Sequence, residues 1–429
     1  MIESPLALMR RLPRAVQLLV AGAFVNRLGG FIVPYLAIVL RREFRLSPAD
    51  VGLLMTSYGI GSLVSILIGG VVADRLGRRL ALMASLFGSG ALACTMAFAP
   101  SVRVFVPLLV LFGFVADLYR PAASSVIGDL LPPGQRALGF AGLRTAINLG
   151  FAVGMATGGV LADWSWRALF LGDGATTIVY GLIVYFFVPE TRPAPRVAAG
   201  RIEAGPSPWR DPVCLQLAFT SFAFALAFHT NMSALPLTIT VSAGYPAPVY
   251  GCLVGINGLL IALFEMPATD ALRRFRRLRV AALGMLLVGV GYGLTGVRLH
   301  WAWFLFTVVV WTAGEILATP QKLAFIADWS PAESRGRYLS LVQATWSLAV
   351  AANPILFLPL HARLGDRAFW PLLMLVALPG CLVLVHLDRT ADRPERLRGT
   401  LDALRPSPGA SFDPSPRRRE GLGSGAGTS

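Results

Sequence analysis

Apolar runs of roughly twenty residues follow one another along almost the whole chain, divided by short clusters rich in arginine. At ~1.5 Å of rise per residue such a run is as long as a hydrocarbon core of ~30 Å is thick. A helix suits that medium, because it pairs every backbone N–H and C=O within the segment. The spacing predicts helices over about 15–40, 49–73, 80–99, 104–128, 137–162 and 167–188, then about 213–241, 248–270, 280–297, 301–327, 338–360 and 369–386. Residues 189–212, PETRPAPRVAAGRIEAGPSPWRDP, break the pattern with Pro, Arg and Ala and read as a linker. The expected fold class is an all-α membrane protein with twelve transmembrane helices in two pseudo-symmetric six-helix bundles, 15–188 and 213–386. A cytoplasmic N-terminus over 1–14 and a disordered cytoplasmic tail over 387–429 are expected to flank them.

Composition agrees with this reading and excludes others. Only 14% of the residues are charged, against about 25% in soluble domains, too little polar surface for a chain of this size in water. The formal net charge is +15, which by itself points to nucleic acid. The basic residues, however, sit between apolar runs and are densest in the alternate loops that hold Arg75, Arg78, Arg79, Arg136, Arg192, Arg274, Arg277 and Arg335. That is the positive-inside arrangement, with both termini cytoplasmic and an even number of spans in the inner membrane, so nucleic-acid binding is rejected. Cys94, Cys214, Cys252 and Cys381 are scattered singly, which argues against a disulfide framework or a metal site. Lys322 is the one lysine. A phosphate-binding loop ending in Gly-Lys-Ser/Thr is therefore absent, no catalytic constellation stands out, and neither an enzyme nor an ATP-driven pump is expected. No cofactor is expected; the energy source would be a proton gradient.

One hairpin carries a tighter pattern than its neighbours. GVVADRLGRR, Gly70 to Arg79, joins the second and third helices. Its glycines permit a close turn, Asp74 ends one helix, and Arg75, Arg78 and Arg79 anchor the loop at an anionic lipid face. An ordinary solvated turn fits the charge but does not require the spacing of Gly70, Asp74, Arg75, Gly77, Arg78 and Arg79. A weaker copy, TDALRRFRRLR, lies at 269–279, where a duplicated half would put it. Duplicated halves serve alternating access, with a substrate site near the midplane between them.

GVVADRLGRR resembles the signature loop of the major facilitator superfamily, with Val72 where leucine is commoner, and the six-linker-six layout resembles that family over about residues 10–390. The resemblance implies the major facilitator fold and a conformational latch made by the hairpin. Asp129, in VIGDL, would pair with Arg78 or Arg79. GFAVGMATGG, Gly150 to Gly159, is similar to the glycine-rich motif of drug:proton antiporters, with Met155 where that motif has proline; Leu109 stands where antiporters place an embedded arginine. Gly150, Gly154, Gly158 and Gly159 also give one smooth helix face for close packing. FVNRLGGFIVPYL, ADLYRPAASSVIGDL and TAGEILATPQK resemble bacterial multidrug-exporter-like members.

Charges in hydrocarbon are costly and mark function unless they are paired. At ~1.5 Å per residue Arg27 lies ~20 Å, and Asp117 and Glu315 ~18 Å, from the inner ends of their helices, near mid-depth. The resemblance implies that helices 1, 4, 7 and 10 line the cavity, which would place Arg27, Asp117, Arg120 and Glu315 on it. Asp117 is expected to pair with Arg27 or Arg120, and Glu315 or Asp117 to exchange a proton, since a carboxylate in a partly dry cavity can load and unload one as access alternates. The alternative is a permanent structural ion pair. Glu265, shallower, is expected to have a structural or gating role rather than to carry protons; Asp173 is expected to serve packing, with pairing to a first-half arginine as the alternative. Tyr35, Tyr119, His229, Asn231, Trp311 and Trp346 are candidate cavity residues for a hydrophobic or amphipathic solute. The expected function is secondary, proton-coupled efflux of a small molecule by a monomer in the lipid bilayer. A nutrient facilitator or symporter, and a non-transporting sensor on the same scaffold, are the alternatives.

Overall fold

The computed structural model describes residues 12–191, 207–272, 274–330 and 334–390. The side chains of residues 69–76, of Arg120 and of a few others lie outside that description, as do most of the expected linker and tail. Up to Phe187 the helical segments are α1 (Arg14–Arg42), α2 (Pro48–Leu76), α3 (Arg78–Met96), α4 (Val102–Ala116 continued by Tyr119–Leu130), α5 (Pro133–Trp164) and α6 (Trp166–Phe187). From Pro212 they are α7 (Pro212–Ser242), α8 (Ala247–Leu272), α9 (Arg277–Leu294), α10 (Trp301–Trp329) and the long stretch Arg335–Thr390. Gly365, at φ 67°, divides that stretch into α11 (335–364) and α12 (366–390). Among the described residues nine stretches are long and apolar enough to cross a membrane, with 337–390 counted as one, and Val102–Ala116 is a shorter apolar helix. Large apolar side chains face outward, Phe186 67% and Met266 66% exposed among them, a surface suited to lipid rather than water. The protein is a multi-pass membrane protein.

Three segments are broken at mid-length, and the breaks position the site. In α1 the helix stops at Leu28 and restarts at Ile32, where Gly29 and Gly30 remove helix propensity. In α4 the turn falls at Asp117 and Leu118. In α7 a 3-10 turn covers His229–Asn231, and a π turn covers Thr238–Ser242 beyond Pro236. Irregular backbone at membrane depth survives where protein or a cavity supplies partners. Asn353 of α11 does so for α7, donating to the carbonyl of Leu226 at 2.7 Å and to Oγ1 of Thr230 at 2.9 Å.

α1 packs on α5 and α6, α2 on α4, and α3 on α4 and α6; α10 packs on α8 and α9. Between the halves α5 lies along α8. The expected smooth face of α5 serves two neighbours. Gly150, Gly154 and Gly158 seat α1, whereas Gly159 turns to α8, where a Cβ would stand 2.6 Å from Cα of Pro248. On the opposite flank Gly59 of α2 meets α11, with Ala351 Cα 2.6 Å from where a Cβ would be. Both approaches lie toward the end that carries loops 43–47 and 243–246, so the halves are tightly closed there.

Candidate substrate cavity

The broken helices surround a central cavity of about 180 Å³. Its first-half wall is polar: Asn26, Arg27, Asp117, Tyr119, Asp173 and Thr177 line it. Asp173 of α6 accepts from the backbone N–H groups of Phe31 (3.1 Å) and Ile32 (3.0 Å), capping the restarted half of α1. Thr177 donates to the same carboxylate at 3.4 Å, and Asn26 donates to Thr177 at 2.8 Å. Five residues from α1 and α6 thus hold the break open in one geometry. The structural role expected of Asp173 takes the form of a cap on α1, which the Gly-Gly pair of α1 makes necessary.

The expected pairing of Asp117 with Arg27 is not what forms. Asp117 accepts a short hydrogen bond from Ser62 of α2. Arg27 donates to the hydroxyl of Tyr119 at 3.3 Å, and its Nε is buried without a hydrogen-bond partner among the described residues. Arg27 forms no ion pair among those residues. Arg120, the other partner expected for Asp117, has its side chain outside the described part.

The second-half wall is aromatic. His229 and Trp346 face the cavity and meet at 5.2 Å, ring edge to face. Behind them Phe224 stacks on Phe228 at 5.9 Å, and both approach Trp346, at 6.0 and 5.5 Å. The ammonium of Lys322 on α10 lies 4.3 Å from the ring centre of Phe224. Four other expected cavity residues point elsewhere. Trp311 is stacked on Tyr292 at 5.2 Å and is 1% exposed. Glu315, one turn on and on the same face of α10, turns toward α8 and accepts from Asn257 at 3.0 Å. Tyr35 donates to the carbonyl of Met155 and abuts Tyr250 edge-on at 5.5 Å. Asn231 is buried, and its carbonyl accepts from Tyr250 at 3.0 Å. Helix phase explains Trp311 and Glu315: α10 presents that face to α8 and α9, and none of its described residues lines the central cavity.

Polar links also join the halves. Asp163 at the end of α5 accepts from the N–H of Ala247 at 3.0 Å, while holding Arg42 at 2.5 Å. Further along the same seam Arg144 of α5 pairs with Glu265 of α8 at 2.7 Å. This pair lines a second cavity, of about 420 Å³, with Asn148, Ile261, Thr269 and Pro320.

At the end remote from loops 43–47, the hairpin is held by three contacts. Gly77 adopts φ 99°, a conformation that favours glycine, and a Cβ there would stand 2.6 Å from the Glu190 carboxylate. Glu190 in turn accepts from the N–H of Arg78 at 2.9 Å, capping α3. Arg78 pairs with Asp129, and Arg79 donates to the carbonyl of Tyr185. The positions of Asp74 and Arg75 fall where side chains are not described, and Gly70 falls in the same stretch. The second half repeats this construction. Arg277, first residue of α9, pairs with Asp328, the penultimate residue of α10, as Arg78 at the start of α3 pairs with Asp129 near the end of α4. Asp388 near the end of α12 takes Arg276 at 3.0 Å and Arg279 at 2.7 Å, in the position that Glu190 holds after α6.

The sequence profile of the Major Facilitator Superfamily matches residues 19–228 and 217–414, one half each. The chain belongs to this family. Among relatives in the superfamily, a Na(+), Li(+), K(+)/H(+) antiporter of Planococcus maritimus is 27% identical over 383 residues, 81% of this chain and 89% of that one. The quinolone resistance protein NorA of Staphylococcus aureus is 29% identical over 150 residues, 35% of this chain and 38% of its own length. A crystal structure of a POT family transporter in complex with 5-aminolevulinic acid superposes with a TM-score of 0.76 at 15% identity, covering 89% of this chain and 97% of that one, and shares the fold. The chain is therefore a superfamily transporter.

Proposed function

We propose that the protein is a proton-coupled secondary transporter that exports a hydrophobic or amphipathic small molecule across the cytoplasmic membrane by alternating access, with both termini cytoplasmic. The observation that carries this reading is the central cavity between broken helices, closed by packed helices toward loops 43–47 and walled by polar groups on one side and aromatic rings on the other. A cavity that is polar on one side and aromatic on the other suits an amphipathic solute. The likeness to a cation/proton antiporter over most of the chain supports coupling to protons, and the likeness to a quinolone resistance protein supports export.

Glu315 is the proposed proton carrier. It accepts from an amide, Asn257, and its protonation breaks no ion pair. Glu265, eight residues further along α8 than Asn257 and ~12 Å away along the helix, ties the halves together through Arg144. A proton reaching Glu265 would release that tie, which links proton movement to separation of the halves. No cofactor is needed for such a cycle, and one chain suffices for it.

The test is uptake of a fluorescent quinolone into proteoliposomes with an acidic lumen. Uptake that an uncoupler abolishes is expected, along with uptake by Glu315→Gln that no longer responds to the gradient. Gradient-driven uptake by Glu315→Gln equal to that of the parent protein removes Glu315 from the mechanism.

A further inference from the structure

Neither Arg27 on the cavity wall nor Lys322 behind it forms an ion pair among the described residues. Asp173 is taken up by two backbone N–H groups and Thr177, and Asp117 accepts from Ser62. Arg27 makes one hydrogen bond, to a neutral hydroxyl, and no ion pair. Lys322 is the sharper case. It is the one lysine in the sequence and 6% exposed, and it has neither an ion pair nor a hydrogen bond among the described residues. Its partner is a ring, Phe224, and a ring face offsets only part of what an ammonium loses on leaving water. The carboxylates to either side on its own helix are engaged elsewhere: Asp328, six residues on, with Arg277, and Glu315, two turns back, with Asn257.

The position of Lys322 is as informative as its lack of a counter-ion. It lies seven residues before the Trp329 end of α10, about 10 Å in, toward the end of the molecule opposite the tight closure. Phe224, beneath its ammonium, adjoins Trp346, which with His229 forms the aromatic surface of the cavity. A charge and a flat apolar wall therefore stand side by side along the second half.

We infer that Lys322 and the Phe224–Trp346 wall form an anion subsite, and that the transported solute is an amphipathic aromatic acid whose negative group meets Lys322 while its ring lies on the wall. The inference rests on the transport reading above and narrows its substrate class. It also assigns the two halves different work: Lys322 selects for charge, and the polar network about Arg27 shapes the far end of the site.

Binding of 2-naphthoate, its neutral amide and the lipophilic cation tetraphenylphosphonium, measured on the full-length protein in proteoliposomes by quenching of tryptophan fluorescence, tests this. The parent protein is expected to bind the acid at least tenfold more tightly than the amide. Lys322→Gln should remove that preference while leaving amide binding unchanged, and Lys322→Arg should keep most of it. Equal affinity of the parent protein for acid and amide overturns the proposal, as does a preference for the cation or no binding of the acid at millimolar concentration. A preference for the acid that survives Lys322→Gln does the same. Flux measured in the same vesicles separates this from the broader reading. Acid binding without gradient-driven flux refutes proton-coupled transport and leaves the subsite standing, whereas quinolone flux without acid preference refutes the subsite alone.

Discussion

The two walls of the cavity solve the same problem, a helix broken in the membrane, by different means. In the first half the break in α1 is closed by a charge: Asp173 caps the N–H groups of Phe31 and Ile32. In the second half the break in α7 is closed by neutral groups, with Asn353 donating to Leu226 and Thr230 and accepting from Ser233 at 2.5 Å. The first solution fixes a carboxylate beside the cavity and surrounds it with donors. The second leaves the surface free for rings, so that His229 and Trp346 can face the solute. The difference teaches that polarity on one side of the site is partly a by-product of how its helix is held together, and that the aromatic side has more freedom to set what is bound.

Removing the carboxylate is the most direct way to break this comparison. Asp173→Ala leaves two buried N–H groups without an acceptor, at about 1–3 kcal/mol for each, and is expected to lower the melting temperature in detergent by many degrees and to abolish transport. Asp173→Asn retains one acceptor and should fall between. A melting temperature unchanged in Asp173→Ala would show that α1 does not depend on the cap. Asn353→Ala should cost less, about 1–2 kcal/mol, because the groups it leaves are one carbonyl and two hydroxyls.

The closed seam gives the next largest effect. Gly159→Val puts a branched side chain where Pro248 already stands, so closure toward loops 43–47 should be prevented in a protein that still folds. Transport is expected to fall at least tenfold, with labelling of a cysteine introduced at Val33 by an external thiol reagent rising in parallel. Unaltered labelling would mean that the halves do not need that contact.

How much of this was legible in the sequence depends on which physical signal each residue carries. Helix positions were, because a run of twenty apolar residues has one use; the expected span 49–73 and the observed Pro48–Leu76 differ by a few residues at most. The partner of Arg78 was also legible, since Asp129 and Arg78 come together, and the echo at 269–279 reappears as Arg277 with Asp328. Depth along a helix was legible as well, and with the helices that the family resemblance assigns to the cavity it agrees with Arg27 and Asp117 lining it. Direction around the helix was not. Glu315 and Trp311 lie at the right height but face α8 and α9, because the direction in which each face of α10 turns is set by packing between segments far apart in sequence. The cap that Asp173 makes was not legible for a related reason: it follows from a break in α1 more than a hundred residues earlier.

Aromatic residues separate the two explanations. Trp346 lies on the cavity, and Trp311 lies in the packing behind it, stacked on Tyr292 and edge-on to Phe228. Trp346→Ala is therefore expected to weaken solute binding about tenfold, roughly 1.4 kcal/mol, with little change in melting temperature. Trp311→Ala should do the reverse, destabilising the protein by about 3–5 kcal/mol without altering which solutes compete. If both variants changed affinity alike, the wall would extend deeper than the rings that face the cavity.

The smallest expected effect tests whether the halves are coupled through charge as well as shape. Arg144 and Glu265 make the ion pair across the seam, but the arginine side chain is 47% exposed, so solvent screens the pair and its worth is about 1 kcal/mol or less. Arg144→Gln should shift the balance between closed and open seams only a few-fold, read as cysteine accessibility at Val33, and should do so less at high salt. Glu265→Gln should give the same shift, and the double variant no more than either alone, since both remove one interaction. Additive shifts would show that the two residues act separately, and the seam would then be held by the fit of α5 against α8 alone.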